Sequence, residues 1–206
     1  MHLTKLGYQT TQDELGIEKA IIAGFSMGGS IAMCMALSHS SRITALVLMS
    51  TTASEGTQES KAAMIQMLDI WFSTPSPSEE LMDIAMKSWG GDPDVNCPRA
   101  QQIKHHWVER PLDPQRVGDM LMSVMDRENL LGRLHEIVVP VLIVHGEMDA
   151  TFPLEQAMDI RKGLINAKVS FEIIKGSGHL IMWIRDSEDI SRMIADFVNH
   201  EVLNSK

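Results

Sequence analysis

A serine stands in a glycine-flanked turn near the start of the chain, Gly24-Phe25-Ser26-Met27-Gly28. The apolar run 20–23 precedes this turn, and residues 28–38 after it are small or apolar on nearly every side, which predicts a buried helix. A serine at such a strand-to-helix corner projects its hydroxyl above the sheet, and the N–H groups at the helix start favour a neighbouring anion. We expect Ser26 to act as a nucleophile and the Met27 N–H to hold an oxyanion. We also expect both flanking glycines to be required, because a Cβ would collide with neighbouring backbone.

This turn and its surroundings resemble a known family. Residues 15–20, Leu-Gly-Ile-Glu-Lys-Ala, and residues 23–30, Ala-Gly-Phe-Ser-Met-Gly-Gly-Ser, are similar to the nucleophile region of the α/β-hydrolase superfamily. The greatest similarity is to its branch of small esterases, lactonases and C–C hydrolases. A serine alcohol needs an imidazole to accept its proton and a carboxylate to orient that imidazole. The resemblance implies that these groups follow the serine in the order Asp, then His.

Two later loops match the family's acid and histidine positions. Asp149 lies in residues 145–153, which resemble the acid loop, and His179 ends residues 176–179, Gly-Ser-Gly-His, which resemble the histidine loop. Glu147 is the competing carboxylate, and the alternative for it is a loop charge in solvent. His145 is interpreted as part of a structural His-Gly pair. The resemblance therefore implies a triad of Ser26, Asp149 and His179.

Apolar runs separated by helical segments predict the elements that position these residues. Strands are expected at residues 20–23, 43–49, 138–144 and 169–174, the last nearer a sheet edge because its residues alternate more. A helix is expected from Pro153 at its first position, and another carries an apolar stripe at Ile190, Met193, Ile194, Phe197 and Val198. The fold class is therefore α/β, with a parallel sheet flanked by helices.

The stretch from residue 54 to residue 134 interrupts the strand–helix alternation. It contains helix-like pieces separated by prolines and glycines and no convincing strand. In the resembled family, an insertion at this place forms a cap over the site, so residues 1–53 and 135–206 are expected to form the core and 54–134 a helical cap. Phe25, Trp71 and Met125 are the expected substrate contacts, since methionine adapts to flexible apolar molecules. Most of the large apolar residues of the insertion are expected to form its own core, because helices of this size must bury an apolar face, and a few of them to line the pocket.

Composition excludes several classes of function. The net charge of −9 disfavours nucleic-acid binding, which depends on Lys and Arg. No segment has the length and apolarity of a membrane span, and two cysteines are too few for a disulfide scaffold. We therefore expect a soluble, cytoplasmic protein. The resemblance to the α/β-hydrolase superfamily implies a small-molecule substrate. No His, Cys and Asp cluster has zinc spacing and no glycine-rich loop would bind phosphate, so we expect no metal and no cofactor.

The segment before residue 20 has no strand-like run, whereas members of the resembled family have further strands there. We expect a shortened core that lacks the family's second oxyanion donor. The shortening would come from an internal start at Met1 or from an altered gene model. The nucleophile strand would then have a bare side, which predicts either self-association as a homodimer through that edge or low stability. Two functions compete: a serine hydrolase of esters, thioesters, lactones or C–C bonds, and an inactive relative that binds a partner. A dehalogenase is disfavoured because that branch has aspartate in place of Ser26.

Overall fold

Four parallel strands form the sheet of this computed structural model, which describes residues 12–73, 77–90, 98–109, 113–182 and 187–203. The strands are β1 Ala20–Phe25, β2 Ile43–Met49, β3 Val141–Gly146 and β4 Val169–Ile174. They lie side by side in the order β1-β2-β3-β4, with every neighbouring pair parallel. The predicted fold class is confirmed.

Helices connect and cover these strands. They are α1 Met27–Ser38, α2 Gln58–Trp71, α3 Glu79–Gly90, α4 Pro98–Glu109, α5 Pro114–Met125, α6 Leu154–Gly163 and α7 Ser187–Phe197. Short 3₁₀ segments lie at Ser40–Arg42 and Leu131–Glu136, and a π-helical segment, Val198–Leu203, continues α7. In the ranges given above, no helix combines the length and apolarity needed to cross a bilayer.

Residues of β2 alternate between two hydrophobic clusters, one on each face of the sheet, because successive side chains of a strand point in opposite directions. Leu46 and Leu48 pack in the cluster with α1 and α6, whereas Ala45, Val47 and Met49 pack in the cluster with α7. All five of these side chains are almost completely buried. The sheet is therefore covered on both faces, as an apolar parallel sheet requires.

Two strand predictions differ from the structure at their ends. β1 continues beyond residue 23 to Phe25 and so reaches the serine corner. β3 begins at Val141 rather than at residue 138, because Pro140 has no N–H for a sheet and Val138 is 62% exposed. Pro153 is the N-cap of α6 and not its first helical residue.

The stretch 54–134 is helical in its described parts, which contain α2, α3, α4 and α5. Its last residues join the main core, since Leu130 and Leu134 are buried in the cluster that contains α1 and α6. The division into a core and a cap remains a prediction.

Candidate active site

Ser26 is the single residue between β1 and α1, and its backbone is strained. Its φ of 52° and ψ of −121° lie in a region that non-glycine residues rarely adopt. Its N–H donates to the Met49 carbonyl at 2.9 Å, and its own carbonyl accepts from the Gly29 N–H at 3.0 Å. The corner is therefore tied both to the neighbouring strand and to the first turn of the helix.

The glycines around Ser26 do not have equal roles. A Cβ at Gly24 would lie 2.3 Å from the Gly28 carbonyl oxygen, so a side chain is excluded there. At Gly28 no atom of the described residues lies within 4 Å of the added Cβ, so the expectation of a collision there is wrong. The second crowded position is Gly29, where a Cβ would lie 2.5 Å from the Thr51 side chain.

The structure brings Ser26, His179 and Asp149 together. His179 Nε2 lies 2.9 Å from Ser26 Oγ, and His179 Nδ1 lies 2.9 Å from Asp149 Oδ2. The Asp149 side chain is fully buried and that of His179 is 8% exposed. A carboxylate accepts but cannot donate, so the proton of the neutral imidazole belongs on Nδ1. Nε2 is then free to accept the Ser26 hydroxyl proton.

The backbone of the acid loop donates hydrogen bonds to the second carboxylate oxygen of Asp149. Asp149 Oδ1 accepts the backbone N–H groups of Thr151, at 2.9 Å, and Phe152, at 2.8 Å. Glu147, the competing carboxylate, accepts the Gly176 N–H at 3.0 Å instead and so joins the acid loop to the histidine loop. Asp149, and not Glu147, is the carboxylate that the fold places beside His179.

The acid and histidine loops also meet through their backbones. The Met148 N–H donates to the Ser177 carbonyl at 2.8 Å. A Cβ at Gly146 would lie 2.1 Å from the Gly178 carbonyl oxygen, so the end of β3 and the histidine loop are in direct contact. These contacts fix the position of His179 relative to Asp149.

The sequence predicted a structural role for His145. In the structure its side chain lies against Asp149. Its Nε2–H donates to the Phe152 carbonyl at 2.8 Å and lies 3.4 Å from Asp149 Oδ2. Burial lowers the pKa of His145, although the Phe152 carbonyl and the Asp149 charge oppose this effect. A polar residue inside the apolar strand β3 was the sequence signal for this position.

Two aromatic rings flank His179. The Phe25 ring lies 5.2 Å from the imidazole, centroid to centroid, and the Phe152 ring meets it edge-on at 5.4 Å. The Arg127 guanidinium carbon lies 5.1 Å from the Phe152 centroid, and its Nε and Nη1 donate to the Ser54 and Val124 carbonyls. Burial lowers the pKa of Arg127. Arg127 thus connects the end of the insertion with the acid loop.

The insertion also approaches the serine corner through α5. Ser123 Oγ lies 3.9 Å from Met27 Sδ, and Met125, at the end of α5, is buried. Trp71 is the last residue of α2 and is half-buried. Of the three predicted substrate contacts, Phe25 is the one that the structure places directly on the imidazole.

Within the described residues, no group of three or more His, Cys, Asp or Glu side chains has an arrangement that could hold a metal ion. Ser26, His179 and Asp149 form a hydroxyl–imidazole–carboxylate arrangement, which is suited to nucleophilic attack on a carbonyl.

A family model described as the alpha/beta hydrolase fold matches residues 7–186. The chain belongs to the α/β-hydrolase fold family. Over 205 residues it is 26% identical to a 2-hydroxy-6-oxononadienedioate/2-hydroxy-6-oxononatrienedioate hydrolase of Paraburkholderia phymatum, with 90% of this chain covered. This chain spans 64% of the length of that relative.

Two solved structures have a similar fold. MGS-M2, an alpha/beta hydrolase enzyme from a Medee basin deep-sea metagenome library, superposes with a TM-score of 0.81 at 18% identity, covering 95% of this chain and 70% of that one. A thermophilic esterase from Thermogutta terrifontis gives a TM-score of 0.75 at 20% identity, covering 93% and 69%. At such low identity these likenesses establish the fold alone.

Proposed function

We propose that this α/β-hydrolase is a serine hydrolase in which Ser26 is the nucleophile, His179 the general base and acid, and Asp149 the group that orients His179. The observation that carries the proposal is the pair of 2.9 Å contacts that link Ser26 Oγ, the imidazole and the Asp149 carboxylate. The strained backbone of Ser26 supports it, because such strain is typical of a nucleophile at a strand-to-helix corner.

The reaction follows from this geometry. Ser26 Oγ forms a bond to the substrate carbonyl carbon while its proton passes to His179 Nε2, and the negative charge moves to the carbonyl oxygen beside the Met27 N–H. The imidazolium then gives the proton to the leaving group, and the acyl group remains on Ser26. A water molecule then attacks the acyl carbon while its proton passes to His179 Nε2. The bond between the acyl carbon and Ser26 Oγ breaks, the acid leaves, and the imidazolium returns its proton to Ser26 Oγ. These steps need no cofactor.

The proposed substrate is a small, fairly apolar molecule with an ester, thioester, lactone or cleavable C–C bond next to a carbonyl. The names of two similar proteins support this range, since one is a hydrolase of 2-hydroxy-6-oxo dienedioates and the other an esterase. Phe25 packs on the imidazole and Met125 is buried at the end of α5. With Trp71, these residues are the proposed apolar lining.

Residues 54–134 are the proposed cap. Two contacts support a position over the strand ends: Ser123 against Met27, and Arg127 against Phe152. The carboxyl ends of the strands are where ligands bind in open α/β sheets.

A fluorophosphonate probe tests the proposal. It reacts with an activated serine, so we expect the purified chain to gain one phosphonyl group, which peptide mass spectrometry places on Ser26. Ser26→Ala should abolish labelling, whereas Ser123→Ala, which removes a hydroxyl that contacts the Met27 side chain, should retain it. Hydrolysis of p-nitrophenyl butyrate should follow the same pattern.

An absence of labelling and of ester hydrolysis would contradict the proposal. If the chain is folded by circular dichroism and Ser26 is neither labelled nor able to support ester hydrolysis, the serine hydrolase proposal is wrong. The competing function, an inactive relative that binds a partner, would then be favoured.

A further inference from the structure

A threonine outside the hydrogen-bonded triad holds the backbone of the nucleophile. Thr51 follows β2 by two residues and is 1% exposed. Its Oγ1–H donates to the Ser26 carbonyl at 2.7 Å. The same carbonyl accepts the Gly29 N–H at 3.0 Å, so two donors fix one oxygen atom.

Fixing the Ser26 carbonyl also fixes the Met27 N–H. The two groups belong to one planar trans peptide and point in opposite directions, so neither can rotate without the other. The Met27 N–H is the proposed oxyanion donor, and a donor is effective only when it is aimed in advance at the oxygen where charge develops. The Thr51 hydroxyl, which is hydrogen-bonded to the Ser26 carbonyl, therefore controls the direction in which the Met27 N–H points.

The local backbone shows why such a contact is needed. Ser26 and Ser50 both have positive φ values, 52° and 41°, and strained conformations persist only where the surroundings hold them. Helix α1 approaches Thr51 as closely as a glycine allows, since a Cβ at Gly29 would lie 2.5 Å from the Thr51 Cβ and Oγ1. Thr51 therefore has little freedom to move away from the corner.

We propose that Thr51 is a positioning residue that aims the Met27 N–H at the oxyanion through its hydrogen bond to the Ser26 carbonyl. This inference rests on the proposed serine hydrolase function. It assigns to Thr51 a part in stabilising the transition state that is separate from substrate binding.

Two variants of Thr51 and one control test the assignment. Thr51→Val replaces the hydroxyl with a methyl group of similar shape, whereas Thr51→Ser keeps the hydroxyl. Ser30→Ala is the matched control, because Ser30 is also buried and its Oγ–H donates to the Thr52 carbonyl at 2.8 Å, between the same two segments. That bond does not involve the Ser26–Met27 peptide.

The measurements are kcat and KM for p-nitrophenyl butyrate and the inhibition constant of a trifluoromethyl ketone, whose adduct with a serine carries an oxyanion. Loss of a whole donor costs about 100- to 1000-fold in turnover, so a misaimed donor in Thr51→Val should lower kcat roughly 10- to 100-fold. KM should change little, and the ketone should bind more weakly by a similar factor. Thr51→Ser should recover most of kcat, and Ser30→Ala should keep it.

Urea unfolding separates this role from a general loss of stability. Thr51→Val and Ser30→Ala each lose one buried hydroxyl bond and should show similar midpoints. The inference is overturned if Thr51→Val keeps the wild-type kcat, if Ser30→Ala loses as much activity, or if Thr51→Ser gives no recovery. If wild-type Ser26 is neither labelled by fluorophosphonate nor active, the proposed function is overturned together with the inference.

Discussion

A methyl group added at Gly24 would meet the backbone of α1, whereas the same group at Gly28 would meet none of the residues that the structure describes. At Gly24 the new Cβ would lie 2.3 Å from the Gly28 carbonyl oxygen, 2.4 Å from its carbon and 2.6 Å from the Gly29 nitrogen. Real Cβ atoms essentially never approach closer than 3.0 Å, so the strand and helix must separate by about 0.7 Å (3.0 minus 2.3). All three obstructing atoms are backbone, so a change of rotamer cannot relieve the overlap.

This separation determines how much unfolding free energy and how much reactivity of Ser26 we expect Gly24→Ala to lose. Overpacking of this kind costs about 1–3 kcal/mol of unfolding free energy. The corner carries Ser26, and a displacement near 1 Å in a reacting group costs on the order of 100-fold in rate. For Gly24→Ala we therefore expect both lower stability and a phosphonylation rate roughly 10- to 100-fold below wild type. Gly28→Ala should be neutral or more stable by up to about 1 kcal/mol, because alanine favours a helix over glycine.

The assay combines urea unfolding with the rate at which a fluorophosphonate labels Ser26. Gly28→Ala is the matched control, since it adds the same methyl group four residues away. Wild-type stability and labelling in Gly24→Ala would refute the steric reasoning. Equal damage in both variants would show that the corner depends on glycine flexibility and not on the contact between β1 and α1.

Three further predictions use other parts of the molecule. Asp149→Asn should lower kcat by roughly 10,000-fold, as the same change does in the serine protease triad. The cause is that asparagine favours the wrong tautomer of His179, while Ser26 stays in place. A small loss of kcat in steady-state kinetics would contradict this prediction. Burial lowers the pKa of His145, so the unfolded chain takes up a proton there at higher pH than the folded chain does, and stability falls as pH drops below the ordinary value of 6.5. His145→Gln should therefore lose less unfolding free energy than wild type between pH 7.5 and 5.5 in urea titrations. An equal loss would show that His145 is not the source of this pH dependence. Because β1 is an outer strand of the described sheet, we predict a homodimer through that edge in sedimentation velocity, and a monomer at every concentration would exclude it.

Local patterns in the sequence determined the sheet and the serine corner. An apolar run followed by a glycine-flanked serine and an apolar helix specifies β1, Ser26 and α1 within a few residues, because each element depends on its own side chains and neighbours. The family resemblance then indicated Asp149 and His179. The structure places both beside Ser26, with His179 separated from it by 153 positions in the chain.

Tertiary structure alone decided which other residues support this group. Thr51 reaches the Ser26 carbonyl because the parallel neighbours β1 and β2 end at the same edge of the sheet. His145 reaches Asp149 because the acid loop turns back on the end of β3, where His145 also donates to the Phe152 carbonyl. The two glycines around Ser26 look equivalent in the sequence, but only the packing of α1 against β1 makes Gly24 the crowded one. Such constraints depend on how segments fold back and pack against one another, and the pattern of residue types along the chain contains no information about the resulting distances.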